Sequence, residues 1–173
     1  MKDSVRLGDK RVGHGQPVFI VAEAGSNHNR DWDQTRRLIE IAAEANVDAV
    51  KFQVFTAETL YPEPGPIHEA IKAAELPIDW IPRIAEYAKD CGLIFLASPF
   101  LPAGVDALEQ VNVAAYKVAS SETTNLPLLK YIASKGKPLL VSTGMCDLAD
   151  IHEAMEIIRS EDNNEIVLLQ CTA

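Results

Sequence analysis

Short apolar runs and polar, helix-patterned stretches alternate along the chain. The first run is Pro17 to Ala22, closed by Glu23 and a loop of turn formers, Ala24 to Asn29. Further runs are Asp48 to Phe55, Leu93 to Ala97, Ala114 to Ala119, Lys137 to Ser142 and Glu165 to Gln170. Apolar runs of this length between turn signals predict buried strands. Between them, apolar residues recur at helical spacing. Asp31 caps a helix with Leu38, Ile41, Ala42 and Ala45 inward. Asp79 caps one with Ile81, Ile84, Ala85 and Ala88 inward, terminated by Gly92. Pro102 to Gln110 and Leu126 to Lys135 are two more, the second stopped by Gly136. Asp147 caps the last, with Ile151, Ala154, Met155 and Ile158 inward. Sixfold alternation of strand and helix predicts an α/β fold with a parallel sheet and right-handed crossovers.

Residues 1–16 are polar and read as an arm or short hairpin, and residues 17–173 read as one domain without a linker. The stretch Thr56 to Ile78 is long and proline-rich, with a short helix near His68 to Ala74, and loops of that length are often functional.

The polar residues at the strand ends change the picture. Ala115-Tyr116-Lys117-Val118-Ala119 and Ala49-Val50-Lys51-Phe52-Gln53 each put a lysine into an apolar run. A buried amine without an anion costs several kcal/mol or loses its charge, so both lysines point to an anionic ligand. Glu23, Gln53, Ser98, Ser120, Glu122, Ser142 and Gln170 also fall at the C-terminal ends of strands, where α/β sheets bind ligands. No strand is followed by GxGxxG or GxxxxGK[ST], which weakens dinucleotide and P-loop readings.

A formal net charge of −9 gives little support to nucleic-acid binding. Cys91, Cys146 and Cys171 are widely spaced and read as buried free thiols in a reducing cytoplasm. No signal peptide and no apolar run of membrane-spanning length is seen, so a cytoplasmic, non-membrane protein is expected. His28 reads as a structural hydrogen-bonding residue, and His14, His68 and His152 as surface residues.

At Ala22-Glu23-Ala24-Gly25-Ser26-Asn27-His28-Asn29 and Val50-Lys51-Phe52-Gln53 the chain resembles the sialic acid synthase family, which includes legionaminic and pseudaminic acid synthases. The likeness continues through Ala97-Ser98-Pro99-Phe100, Tyr116 to Glu122, Thr124 to Leu128, Ser142-Thr143-Gly144-Met145 and Leu168 to Thr172. Each motif alone is weak; in this order they are specific. The resemblance implies a TIM-type (β/α)8 barrel followed by an antifreeze-like domain. Only about six βα units are present, and a closed barrel takes eight strands and usually about 250 residues. The chain therefore reads as the front of a truncated barrel, or as an open sheet, with the C-terminal domain absent. Ala119 and Ser121 stand where many members have glycine, and Thr124 where many have asparagine, which bears on the sugar more than on the reaction.

The implied reaction condenses phosphoenolpyruvate with N-acetylmannosamine or a related N-acetylated hexose, giving a sialic-type acid and phosphate. Lys51 and Lys117 would hold the anion, and Ser98, Ser120 and Ser142 would donate to phosphate oxygens. Gln53 and Asn27 would contact substrate, and Glu23 and Glu122 would serve acid–base roles or hold sugar hydroxyls. A divalent metal, Mn²⁺ or Mg²⁺, is implied for the family, with its histidine ligands outside this chain and no metal residues within it. The family also implies a homodimer. Two rival readings are a sugar-phosphate aldolase with Lys117 as a Schiff base, and a fragment that binds anions or a complementary chain. The isolated chain is expected to be inactive.

Overall fold

The computed structural model describes residues 3–171. They form two compact units, one from Phe19–Val113 and the other from the described residues up to Val18 together with those from Ala114 onward.

The Phe19–Val113 unit is built on three strands, β3 (Val21–Gly25), β4 (Ala49–Val54) and β5 (Ile94–Pro99). β4 pairs in parallel with both neighbours. It is buried almost throughout, with Ala49, Val50, Phe52 and Val54 fully covered. A central parallel strand covered on both faces loses the alternation of a half-buried strand. Helix α1 (Trp32–Glu44) starts at Asp31, whose side chain accepts from the Gln34 N–H at 2.9 Å. Its inward face is Thr35, Ile39 and Ala42, whereas Ile41 and Ala45 are exposed. The buried face is rotated away from the apolar stripe through Ile41 that the sequence predicts, and packing covers Thr35, whose hydroxyl donates to the Asp31 carbonyl at 2.7 Å.

Helix α4 (Ile81–Asp90) buries Ile81, Ile84 and Ala88 as expected, and Gly92 follows at φ 76°, where glycine is the favoured residue. Asp79 is not its cap. It lies within a 3-10 turn, Ile78–Trp80, that leads directly into the helix. The long segment between β4 and that turn is ordered rather than irregular. It holds α2 (Ala57–Leu60) and α3 (Pro66–Ala73). Thr56 and Thr59 cap α2 reciprocally, and the Glu75 carboxylate accepts from the Ala57 N–H at 2.7 Å. His68 Nδ1 pairs with the Tyr61 carbonyl at 2.8 Å, so this histidine is partly buried rather than a free surface group. Helix α5 (Pro102–Gln110) brings Gly104 against Val54 and Pro99.

The other unit carries the hairpin β1 (Ser4–Leu7) and β2 (Lys10–Gly13), and the parallel strands β6 (Tyr116–Val118), β7 (Leu139–Ser142) and β8 (Ile166–Leu169). The hairpin is not a loose arm, because Val5 and Leu7 are buried. Helix α6 (Leu126–Ala133) starts at Asn125 and α7 (Leu148–Ser160) at Asp147, whose side chain accepts from the Ala149 and Asp150 N–H groups.

Every predicted strand forms, usually shorter than its apolar run. The largest difference is at the first. Residues 17–20 lie outside β3, and Val18 and Ile20 are exposed. Ile20 is held to Asp48 instead, through its N–H and the Asp48 carboxylate at 2.7 Å.

Candidate active site

Parallel pairing in register decides which side chains share a face. Glu23 of β3 stands beside Lys51 of β4, and Gln53 of β4 beside Ser98 of β5. Side chains two apart on a strand point the same way, so Lys51, Gln53 and Ser98 line one face at the strand ends. Lys51 is only 8% exposed, and its ammonium forms an ion pair with the half-exposed Glu23 carboxylate. The same ammonium reaches the buried Ser98 hydroxyl at 3.5 Å. This compensates the buried amine through an acid and a hydroxyl, and the acid remains open to solvent on one side.

Gly25 closes this group. The β3 register shifts between Glu23 and Gly25, and Gly25 adopts φ 56°. A Cβ there would sit 3.3 Å from Glu23 Oε1 and 3.8 Å from Gln53 Nε2. The carboxylate and the amide therefore border the same small space, and glycine keeps it clear. Asn27 lies exposed in the following loop, where its carbonyl accepts from the Gln34 side chain.

His28 in that loop is fully buried. Its Nδ1 accepts from the Arg30 N–H at 3.0 Å, so the proton of the neutral ring is on Nε2, which is buried without a partner. Burial, then the nearby Arg30 charge, hold its pKa below the ordinary histidine value. The structural reading of His28 fits these facts, although only one of its two nitrogens is satisfied.

In the second unit, Lys117 is 8% exposed and its ammonium donates to the Val118 carbonyl at 3.0 Å. Lys117 pairs in register with Leu140, which puts it on the same face as Ser142 two residues further along β7. Ser142 is fully buried and its hydroxyl has no partner. A 3-10 turn, Ser120–Glu122, follows β6. Its Ser120 hydroxyl donates to the Cys171 carbonyl at 3.4 Å. The Glu122 carboxylate accepts from Ser121 at 3.2 Å and from the Asn125 amide at 2.8 Å.

Sequence reasoning missed the residues that fix this turn. Thr123 is buried, and its hydroxyl donates to the carbonyls of Ser142 at 2.7 Å and Ala119 at 3.2 Å, tying the turn to β7. Asn125 serves twice, capping α6 with its oxygen and holding Glu122 with its nitrogen. The Asn-Leu-Pro start of α6 was the available signal for the cap, but nothing local announced the second bond. The cysteines are free, as expected, but Cys91 and Cys146 are only partly buried and Cys171 is exposed. Cys171 does not pack as a core residue because it follows β8, beyond the last ladder pair.

The structure thus brings Glu23, Lys51, Gln53 and Ser98 together in one unit, and places Lys117, Ser120, Glu122 and Ser142 in the other. Among the described residues no group of three or more His, Cys, Asp or Glu side chains is arranged to hold a metal ion. No helix of the described residues is long and apolar enough to cross a membrane.

The NeuB family profile matches residues 38–173. The chain belongs to the NeuB family. It is 39% identical to the spore coat polysaccharide biosynthesis protein SpsE of Bacillus subtilis, over 97% of this chain and 48% of that protein. It is 36% identical to the N,N'-diacetyllegionaminic acid synthase of Legionella pneumophila, over 96% of this chain and 52% of that protein. The N-acetylneuraminic acid synthetase of Leptospira borgpetersenii, solved with citrate, superposes with a TM-score of 0.93 at 30% identity, covering 98% of this chain and 59% of that one. This NeuB chain spans about half the length of the curated relatives it matches.

Proposed function

We propose that this NeuB chain carries substrate-binding and catalytic residues of a phosphoenolpyruvate-dependent synthase of sialic-type acids. The observation that carries the reading is the buried Lys51 ammonium held between Glu23 and Ser98 at adjacent strand ends. Phosphoenolpyruvate brings a phosphate and a carboxylate, about three negative charges near neutral pH. Lys51 offers a fixed charge to one of its oxygens and Ser98 a hydroxyl donor, with no reorganisation when the ligand arrives. Lys117 offers a second charge, and Ser142 a buried hydroxyl that lacks a partner. Ser120 and Asn27 donate to substrate oxygens.

In the proposed reaction C3 of phosphoenolpyruvate attacks the aldehyde carbon of the open-chain N-acetyl sugar. Water adds at C2, and phosphate leaves with cleavage of the C2–O bond. Glu23, partly open to solvent and beside Gln53, is suited to orient a sugar hydroxyl or to move a proton at the aldehyde oxygen. Glu122, fixed by two donors, is suited to orient water. The divalent metal that the family resemblance implies finds no donor cluster among the described residues. In this reading the six βα units belong to a (β/α)8-type barrel, and the protein acts as a cytoplasmic homodimer.

The test is calorimetric titration of the chain with phosphoenolpyruvate. Saturable binding is expected, and Lys51→Ala or Lys117→Ala should each weaken it by at least about tenfold, the worth of one charged hydrogen bond. Binding that survives both substitutions would overturn the assignment. Borohydride with a keto substrate should trap no adduct at Lys117, since the proposed chemistry forms no imine.

A further inference from the structure

Within the Phe19–Val113 unit, α1 and α4 leave a cleft of about 390 Å³ between them. That volume falls in the range of about 300–1,000 Å³ that small-molecule sites occupy. The cleft shares no lining residue with the strand-end site. Its aromatic wall is Trp32 and Tyr87, whose rings meet edge to face at 6.4 Å. Trp80 meets Trp32 edge to face at 5.7 Å. Both tryptophans of the chain are therefore at this cleft, and both are only partly buried. Aromatic side chains of this size belong in a core or on a binding surface.

Two guanidiniums share the cleft. Arg83 lies over the Trp32 ring, 3.6 Å from its centroid. Stacking uses the face of a guanidinium and leaves the N–H donors in its plane for an acceptor. Arg36 binds Asp33 through one terminal nitrogen at 2.7 Å, and its Nε is buried without a partner. A buried donor left unpaired is a cost that an incoming acceptor removes. The Arg36 side chain is 42% exposed, so it can turn to offer Nε and a terminal nitrogen together, the paired edge that fits a carboxylate. Glu86 and Asp90 add two exposed carboxylates. The Tyr87 hydroxyl donates to Glu40 at 2.7 Å, which fixes the ring and leaves its oxygen able to accept.

These groups select a ligand by charge. The two guanidiniums stand against the carboxylates of Asp33, Glu86 and Asp90, one negative charge in excess. A phosphate dianion would be repelled, whereas a single carboxylate can sit on the arginines. Glu86 and Asp90 are acceptors only, so they call for hydroxyl donors on the same ligand. We propose that the cleft is a second binding site, for a small monocarboxylic acid that carries several hydroxyl groups. Its carboxylate sits at Arg36 and Arg83, and its hydroxyls at Glu86 and Asp90. A sialic-type acid belongs to this class, so the product of the condensation read above is a ligand here as well. The site stands on the residues of the cleft and goes beyond that reading.

Because both tryptophans meet at the cleft, intrinsic fluorescence reports on it directly. N-acetylneuraminate titrated into the chain should change the tryptophan emission saturably, with a matching heat by calorimetry. Its methyl ester, which lacks the charge, should bind at least about tenfold more weakly, the worth of one charged hydrogen bond. Leucine, a carboxylate without hydroxyls, should bind as weakly as the ester. Arg83→Ala, at an exposed position, should also cost at least about tenfold and leave phosphoenolpyruvate binding unchanged. Lys51→Ala should leave the response to N-acetylneuraminate unchanged. The absence of any saturable response overturns the proposal. So does equal affinity for the acid, its ester and leucine, or a response lost in Lys51→Ala but kept in Arg83→Ala. If phosphoenolpyruvate fails to bind while the Arg83-dependent response persists, the cleft stands and the condensation reading falls.

Discussion

His28 shows how a single buried side chain links the stability of the fold to pH. Its pKa is depressed in the folded chain by burial, with Arg30 adding to the effect. The unfolded chain therefore takes up a proton at this position near the ordinary value of 6.5, while the folded chain stays neutral until lower pH. Stability from this group is complete above that value and is lost as pH falls from 6.5 toward the folded pKa. Urea unfolding at pH 7.5 and pH 5.5 should show a smaller loss at the acid end for His28→Gln than for the parent chain. Parallel losses in the two proteins would refute the linkage. The same scale explains why the lysines were visible in the sequence and their settings were not. Lys51 and Lys117 stand out because charge in an apolar run demands a partner. The partners of Lys51 depend on strand register, which brings Glu23 and Ser98 to it from far along the chain.

At the level of elements, backbone approach is as constraining as side-chain chemistry. Helix α5 lies close enough to the sheet that a Cβ on Gly104 would meet Val54 Cγ1 at 3.0 Å and Pro99 Cβ at 3.3 Å. Val54 and Pro99 directly follow Gln53 and Ser98 on their strands, so a helix displaced here would move two site residues. Gly104→Ala should destabilise the chain by about 1–3 kcal/mol through overpacking, despite the better helix propensity of alanine. A denaturant midpoint equal to or above that of the parent would show that the contact relaxes freely. The segment between β4 and α4 carries the other lesson at this scale. The short helix expected near His68 to Ala74 forms as α3, and the segment holds a second, α2, that its prolines did not suggest, with Thr56, Glu75 and His68 bonding the whole together. Those bonds join residues up to 18 positions apart, beyond the reach of local pattern reading.

For the molecule as a whole, the described residues provide buried lysines and hydroxyls but no metal-ligand cluster. In the proposed reading lysines and hydroxyls hold phosphoenolpyruvate, so its binding by this chain should stay within about twofold after dialysis against EDTA. A large loss restored by Mn²⁺ would show that donors on this chain assemble a site on binding. The βα alternation, most helix caps and stops, and the positions where polar groups cluster after apolar runs were all legible in the residue order alone. Hydrophobic period, capping chemistry and turn formers act over a few residues, so they can be read locally. Only packing settled which face of α1 is buried, that Val18 and Ile20 lie outside the first strand, and that Thr123 ties the turn after β6 to Ser142 of β7. It also brought Arg83 of α4 onto the Trp32 ring of α1. These follow from strand pairing and from packing between distant segments, whose energies depend on neighbours that no short window of sequence contains.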